Sequence, residues 1–378
     1  MTLFYFELKR FIKNPKNKIC LALLALIFFG LFVMEQTTFK QKFSEVNLVM
    51  TRENLQQTKH WVENLQNQAK LNPDDKETAQ ALLVAQENVK IFSSQLSALE
   101  KKDFDKFAEL NNQQNSAQLK LIPQKDSDEY RSLVSNIKYY EAVKAVNGKM
   151  SATTNDTSES AFKVGYSAVA WLSSTAIFVL ITVLIADTVS SEIESSQIRF
   201  YQLIGGRKFK HLLLKLGVPI LSVLSVTFIS FFCQYLIKGA MNSFGTWRYP
   251  YLMADGTIQP IWQVSLKAVL VFVVALIFIG SLGQLLALIF KKSLVVIGLI
   301  VVCLTGFLTL AQEEWFQLIK KFLPFEYLGY GQIINDAKIL PNNALIIGLI
   351  YLVSLSLLFI VTSGYLYQHY HYRKVGRS

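Results

Sequence analysis

AVLVFVVALIFIGSLGQLLALIF, residues 268–290, runs for 23 residues without a charge. As a helix rising ~1.5 Å per residue it measures ~35 Å, enough to cross a ~30 Å hydrocarbon layer. Five more stretches are free of charged residues and nearly as long: 19–34, 164–186, 216–237, 293–311 and 344–367. The shortest, 19–34, has a long basic leader and no small-residue cleavage site after Val33-Met34-Glu35, so it reads as a retained anchor and not a signal peptide. Composition agrees: 52% of the 378 residues are hydrophobic, 17% are charged, and the mean hydropathy is +0.31. The expected fold class is an all-α integral membrane protein with six transmembrane helices.

The net charge of +11 invites a nucleic-acid reading, but its distribution argues against one. Residues 36–163 hold 17 Lys+Arg and 17 Asp+Glu, so the surplus flanks the apolar stretches. Six spans put both termini on one side. That side carries fifteen short-loop basic residues, running from Lys9 through Lys215, Lys291 and Lys292 to Arg377. The other carries six: Lys238, Arg248, Lys267, Lys320, Lys321 and Lys338. Basic residues accumulate on the cytoplasmic side, so the termini are expected to be cytoplasmic in the plasma membrane and residues 36–163 extracellular. No nucleic-acid partner is expected.

Within 36–163 the apolar residues recur with helical, coiled-coil-like spacing. Leu48, Leu55, Val62, Leu65 and Ala69 form one seam, and Leu82, Ala85, Val89, Phe92, Leu96 and Leu99 form another. Asn72-Pro73-Asp74-Asp75 breaks the pattern, so the interval is expected to be a large extracellular helical hairpin. Shorter helices are expected around Phe104–Leu110 and Leu133–Tyr140, followed by a Ser/Thr-rich link at 151–160. In 1–18, Phe4, Leu8, Phe11 and Ile12 oppose Lys9, Arg10 and Lys13, the pattern of an interfacial helix ended by Asn14-Pro15.

No catalytic constellation is found. Gly148-Lys149 is followed by Met150, so no phosphate-cradling Walker loop exists and any ATP and magnesium must be held by another polypeptide. His369 and His371 follow a span among Tyr and Arg and read as an interfacial tail of the basic segment 368–378, so no metal or other cofactor is expected in this chain. Cys20, Cys233 and Cys303 all lie in apolar runs and offer no disulfide framework. Mid-membrane ionisable residues are missing, which weakens a proton-coupled transporter. Gln234 and Gln284 are the candidate polar groups of the bundle, either bonding between helices or lining a pathway.

The connection 187–215 carries the sharpest local pattern. Asp187-Thr-Val-Ser-Ser-Glu192-Ile-Glu194 is followed by Arg199, by Ile204-Gly205-Gly206-Arg207-Lys208 and by Lys215. It resembles the permeases of type-2 ABC exporters, where this loop opens on a Glu-x-Glu-x-Gly-Thr pattern and places a Lys eight residues after an Arg. Glu192, Glu194, Arg207 and Lys215 match by position, while Ser196-Gln197 stands for Gly-Thr and Gly205-Gly206 lies near the usual Pro. The N-terminal Glu7-Leu8-Lys9-Arg10, the insertion after the first span, and Phe322-Leu323-Pro324-Phe325-Glu326-Tyr327-Leu328 within 312–343 are similar to the family too. The resemblance implies a non-enzymatic permease that exports a peptide, drug or lipid-like compound, with a second permease copy or homologue and a cytoplasmic ABC ATPase as partners. It also implies a coupling helix at 188–210 that docks the ATPase through Glu192, Glu194, Arg199, Arg207 and Lys208. Glu192 is expected to lie outside the packed bundle. The alternative from another class is a non-transporting membrane assembly or receptor protein with the same six-span layout and an outer coiled coil.

Overall fold

The computed structural model describes residues 3–73, 75–119, 122, 124–125, 127–148, 160–196, 208–310, 313–336, 340 and 343–369. Of the described residues 83% are helical. In order the helices are α1 (Leu3–Lys13), α2 (Pro15–Met34), α3 (Lys40–Leu71), α4 (Lys76–Glu100), α5 (Phe104–Leu119), α6 (Asp128–Ala145), α7 (Val164–Trp171) and α8 (Thr175–Ile185). They continue as α9 (Ser190–Glu194), α10 (Lys208–Met241), α11 (Ile261–Phe290), α12 (Ser293–Leu310), α13 (Glu314–Lys320), α14 (Tyr330–Asn335) and α15 (Ala344–Gln368). Two three-residue strands, β1 (Pro250–Leu252) and β2 (Ile258–Pro260), lie between α10 and α11. The chain divides into two compact units: residues 1–30, 167–233 and 263–378, and residues 31–166 and 234–262.

The first unit holds most of the apolar helix. Five segments among the described residues are long and apolar enough to cross a membrane: Pro15–Thr37, Thr175–Glu194, Phe209–Met241, Ile261–Phe290 and Ala344–Gln368. The expected fifth span, 293–311, contributes a shorter described apolar stretch, Ser293–Gly306. Ile19, Leu23 and Leu26 on α2 and Ile346, Ile350, Leu357 and Val361 on α15 are all exposed. Contiguous apolar faces of this size belong in lipid or against another protein, because water would penalise each of them. The protein is an α-helical membrane protein with several membrane-crossing helices.

The expected span 164–186 is not one continuous helix. α7 stops at Trp171 and α8 restarts at Thr175. In the break, the Ser173 hydroxyl donates to the Val169 carbonyl at 2.7 Å and accepts from the Gly331 amide at 2.8 Å. A Cβ on Gly329 would lie 2.8 Å from the Ser173 Cα, so the missing side chain lets that backbone close onto the break. Ile177, Phe178, Ile181, Leu184 and Ile185 of α8 are buried, and Phe178 meets Phe272 of α11 with ring centroids 6.0 Å apart. α12 also packs on α8. Gly280 and Gly283 let α11 approach Ile185, Ala186 and Leu216, the small-residue contact by which helices approach closely in membranes.

In the second unit α3 and α4 run antiparallel, with Arg52 in the first half of one reaching Glu100 at the end of the other at 3.8 Å. Leu55, Leu65, Ala85 and Leu99 are buried along their contact. The turn falls at 72–75, where the Asp75 carboxylate accepts from the Glu77 and Thr78 amides at 3.0 and 3.4 Å and caps α4. Those two donors have no partner inside the helix, so Asp75→Ala costs about 1 kcal/mol. Hydrogen exchange of the Glu77 and Thr78 amides is expected to quicken about fivefold. Unchanged exchange there would remove the cap from the account.

α5 packs on α4, where Gln95 Nε2 donates to Gln114 Oε1 at 3.1 Å, and α6 packs on α5. β1 and β2 pair antiparallel with Tyr251 opposite Gln259. Their turn uses Gly256 at φ +81° and Asp255, whose carboxylate accepts from the Thr257 amide at 2.9 Å. Tyr139 and Val143 of α6 are buried with Tyr249 and Ile261, packed by Phe162, Tyr166 and Tyr251. The hairpin adds to the all-α expectation, and its Asp-Gly turn was the sequence signal for it. The expected link at 151–160 lies outside the described residues apart from Ser160.

Candidate functional site

Two of the expected site residues, Glu192 and Glu194, fall in the first unit at the end of the second membrane-crossing segment. The chain leaves α8 through the turn 186–189 and enters the short helix α9, whose Glu192 is only 5% exposed. This corrects the expectation that Glu192 lies outside the packed bundle. A carboxylate so far from water must be paired, and it is. Lys215 of α10 donates from Nζ to Glu192 Oε1 at 2.5 Å and to Glu7 Oε2 of α1 at 3.2 Å. Arg10, one turn along α1, also donates to Glu192. Glu7 and Lys215 are 6% and 5% exposed. One ammonium thus joins three separate helices through two carboxylates.

A second pair lies beside the first. Lys16 Nζ, at the start of α2, donates to Asp187 Oδ1 at 2.6 Å and to the Val183 carbonyl at 2.8 Å. Asn17 Nδ2 donates to the Phe11 carbonyl at 3.1 Å, covering one of the free carbonyls at the end of α1. Glu7, Asp187 and Glu192 face Arg10, Lys16 and Lys215, so three negative charges meet three positive ones. A cavity of about 70 Å³ remains among Glu7, Arg10, Lys16, Asp187, Glu192 and Lys215. Balanced charges in a buried setting hold a geometry more than they add net stability, because desolvation offsets much of their attraction.

α1 contributes because its inward stripe is Glu7 and Phe11, one helical turn apart, while Phe4, Tyr5, Phe6 and Ile12 are exposed. Of the apolar face expected for this helix, Phe11 alone turns fully inward. Glu194 does not join the network. Its carboxylate accepts from the Ser293 amide at 2.9 Å and from the Ser293 hydroxyl at 3.1 Å, so an anion sits at the start of α12. Arg199 and Arg207 lie outside the described residues, as does the whole of 197–207 in the expected coupling element 188–210. Lys208 is the first residue of α10.

Gln284 Nε2 donates to the Leu212 carbonyl at 2.9 Å, the interhelical alternative of its two readings. Gln234 is fully buried on α10. The pairing of Glu192 with Lys215 joins two positions that the sequence pattern had singled out. Lys16 and Asp187 were assigned no site role, although both are charged residues flanking apolar runs.

Another charged cluster lies in the segment before α15. Lys320 Nζ approaches Asp336 Oδ2 at 2.7 Å and Glu326 Oε2 at 3.5 Å. Burial pushes the Glu326 carboxyl up from its ordinary value, against the opposing pull of Lys320. Among the described residues no group of three His, Cys, Asp or Glu is placed to hold a metal ion. No family model matches the chain, and neither a curated protein nor a solved structure matches it.

Proposed function

We propose that the chain is the permease subunit of an ATP-driven exporter of the type-2 ABC class, working with a second permease copy or homologue and a separate cytoplasmic ATPase. The observation that carries this reading is the Glu7, Arg10, Glu192 and Lys215 network. It fastens an N-terminal helix, a short helix after a span and the next long helix into one body. A part that must pass a push from a cytoplasmic motor to membrane helices needs such internal ties, since a loosely held loop would absorb the motion.

In this arrangement α12 serves as a sixth span, the termini are cytoplasmic and the helices between α2 and α7 lie outside the cell. Fifteen against six short-loop basic residues favour that orientation. Because Glu192 is occupied internally, contact with the ATPase falls to the residues that follow α9, beginning at exposed Ser195 and running through Arg199, Arg207 and Lys208. The substrate is a peptide, drug or lipid-like compound that crosses between two permease halves.

The test is a cysteine at Ser195 carrying a photoactivatable cross-linker in native membranes. A cytoplasmic ATPase is expected as the adduct, and an impermeant thiol reagent should label Gln86→Cys but not Ser195→Cys on intact cells. Reversed labelling, or an adduct free of any ATPase, would remove this reading and leave a non-transporting assembly or receptor role.

A further inference from the structure

We propose that residues 315–327 and 347–354 hold an anionic phospholipid, its phosphate on Lys321 and one acyl chain in a groove along the first turns of α15. Adjacent lysines have opposite fates here. Lys320 is buried between Glu326 and Asp336, whereas Lys321 is exposed and forms no ion pair among the described residues. The Lys321 ammonium lies 5.2 Å from the centre of the Phe322 ring, whose attraction holds the charge beside that exposed ring.

Behind it is a groove of about 580 Å³ lined by Lys321, Phe322, Tyr327, Ile347, Ile350, Tyr351 and Ser354. That volume lies within the ~300–1,000 Å³ typical of small-molecule sites. Its walls are fixed. Tyr327 donates to the Lys321 carbonyl at 2.8 Å and Tyr351 donates to the Phe322 carbonyl at 2.9 Å. The Tyr327 ring lies over Gly348, where any Cβ would collide with it.

Two observations select a lipid as occupant. Trp315, Leu318, Ile319 and Phe322 are exposed together on and just after α13, the composition of a segment seated at the boundary between headgroups and acyl chains. The groove follows α15 from Ile347 to Ser354, a rise of ~10 Å, about a third of the depth of a ~30 Å hydrocarbon core. A charge at the mouth and an apolar groove running on along the helix match an anionic headgroup and the upper part of its chain. The inference does not depend on the transport reading.

The experiment places the full-length protein in bilayers with equal amounts of phosphatidylglycerol and phosphatidylcholine of identical chains, then identifies retained lipid by native mass spectrometry. Wild type is expected to retain phosphatidylglycerol preferentially, and Lys321→Gln to lower that preference roughly fivefold, the factor for one basic side chain at a membrane surface. Ser354→Phe, which fills the groove and leaves the charge, is expected to lose the retained lipid. An unchanged preference in Lys321→Gln, full retention in Ser354→Phe, or displacement of the lipid by inorganic phosphate would each overturn the proposal.

Discussion

Replacing Lys215 with methionine is expected to destabilise the first unit by about 3–5 kcal/mol, because it takes one buried ammonium away from the buried carboxylates of Glu7 and Glu192. Methionine fills similar space, so the loss is electrostatic and not a cavity effect. The thermal midpoint in detergent should fall by on the order of 10 °C. Adding Glu7→Gln, which neutralises the carboxylate left behind, should recover a good part of the loss, since residues in one ion-pair network couple by ~0.5–3 kcal/mol. A Lys215→Met midpoint equal to wild type would show that the network is wet or open in the membrane. The same geometry predicts that Glu192→Lys, set against Arg10 and Lys215, acts first on folding; only a variant that remains inserted could inform on a partner.

Gly283→Val should be nearly as damaging for a steric reason. A Cβ there would lie 2.6 Å from the Ala186 Cα and 2.8 Å from its carbonyl oxygen, and backbone cannot rotate away as a side chain can. α11 would have to move off the end of α8, stretching the neighbouring bond from Gln284 to the Leu212 carbonyl. Overpacking costs about 1–3 kcal/mol, and a branched residue against backbone belongs at the upper end. The matched control is Gly298→Ala on α12, where an added Cβ meets nothing within 4 Å and helix propensity favours alanine by up to ~1 kcal/mol. If the Gly283 variant is as stable and as abundant as the Gly298 variant, the α8 and α11 contact is looser than described.

The helices were legible because their causes are local. A run of residues such as 268–290 has few polar groups for water and no charge to anchor it there, so burial in lipid follows from composition. The seams containing Leu55, Leu65, Ala85 and Leu99 and the Asn72–Asp75 break are likewise written in spacing and turn chemistry. The division of 164–186 was not legible. Its interruption depends on Ser173 meeting the Gly329–Gly331 backbone more than 150 positions away, and a sequence of small apolar residues reads equally well straight through.

The sequence by itself determined that this is a helical membrane protein, where charge gathers, and that 187–215 is the chemically distinctive connection. The tertiary structure alone decided what those charges do. Glu192 carries the same residue type whether it faces a solvent-borne partner or a buried lysine. Which of these it meets is fixed by the packing that brings Glu7 and Lys215, 208 positions apart, to one ammonium. Likewise Lys320 and Lys321 are identical neighbours in the chain, and only the turn of the backbone between α13 and Pro324 sends one inward to two carboxylates and leaves the other at the surface. Burial and pairing of a charge are properties of its surroundings, and for these residues the surroundings are assembled from distant parts of the chain.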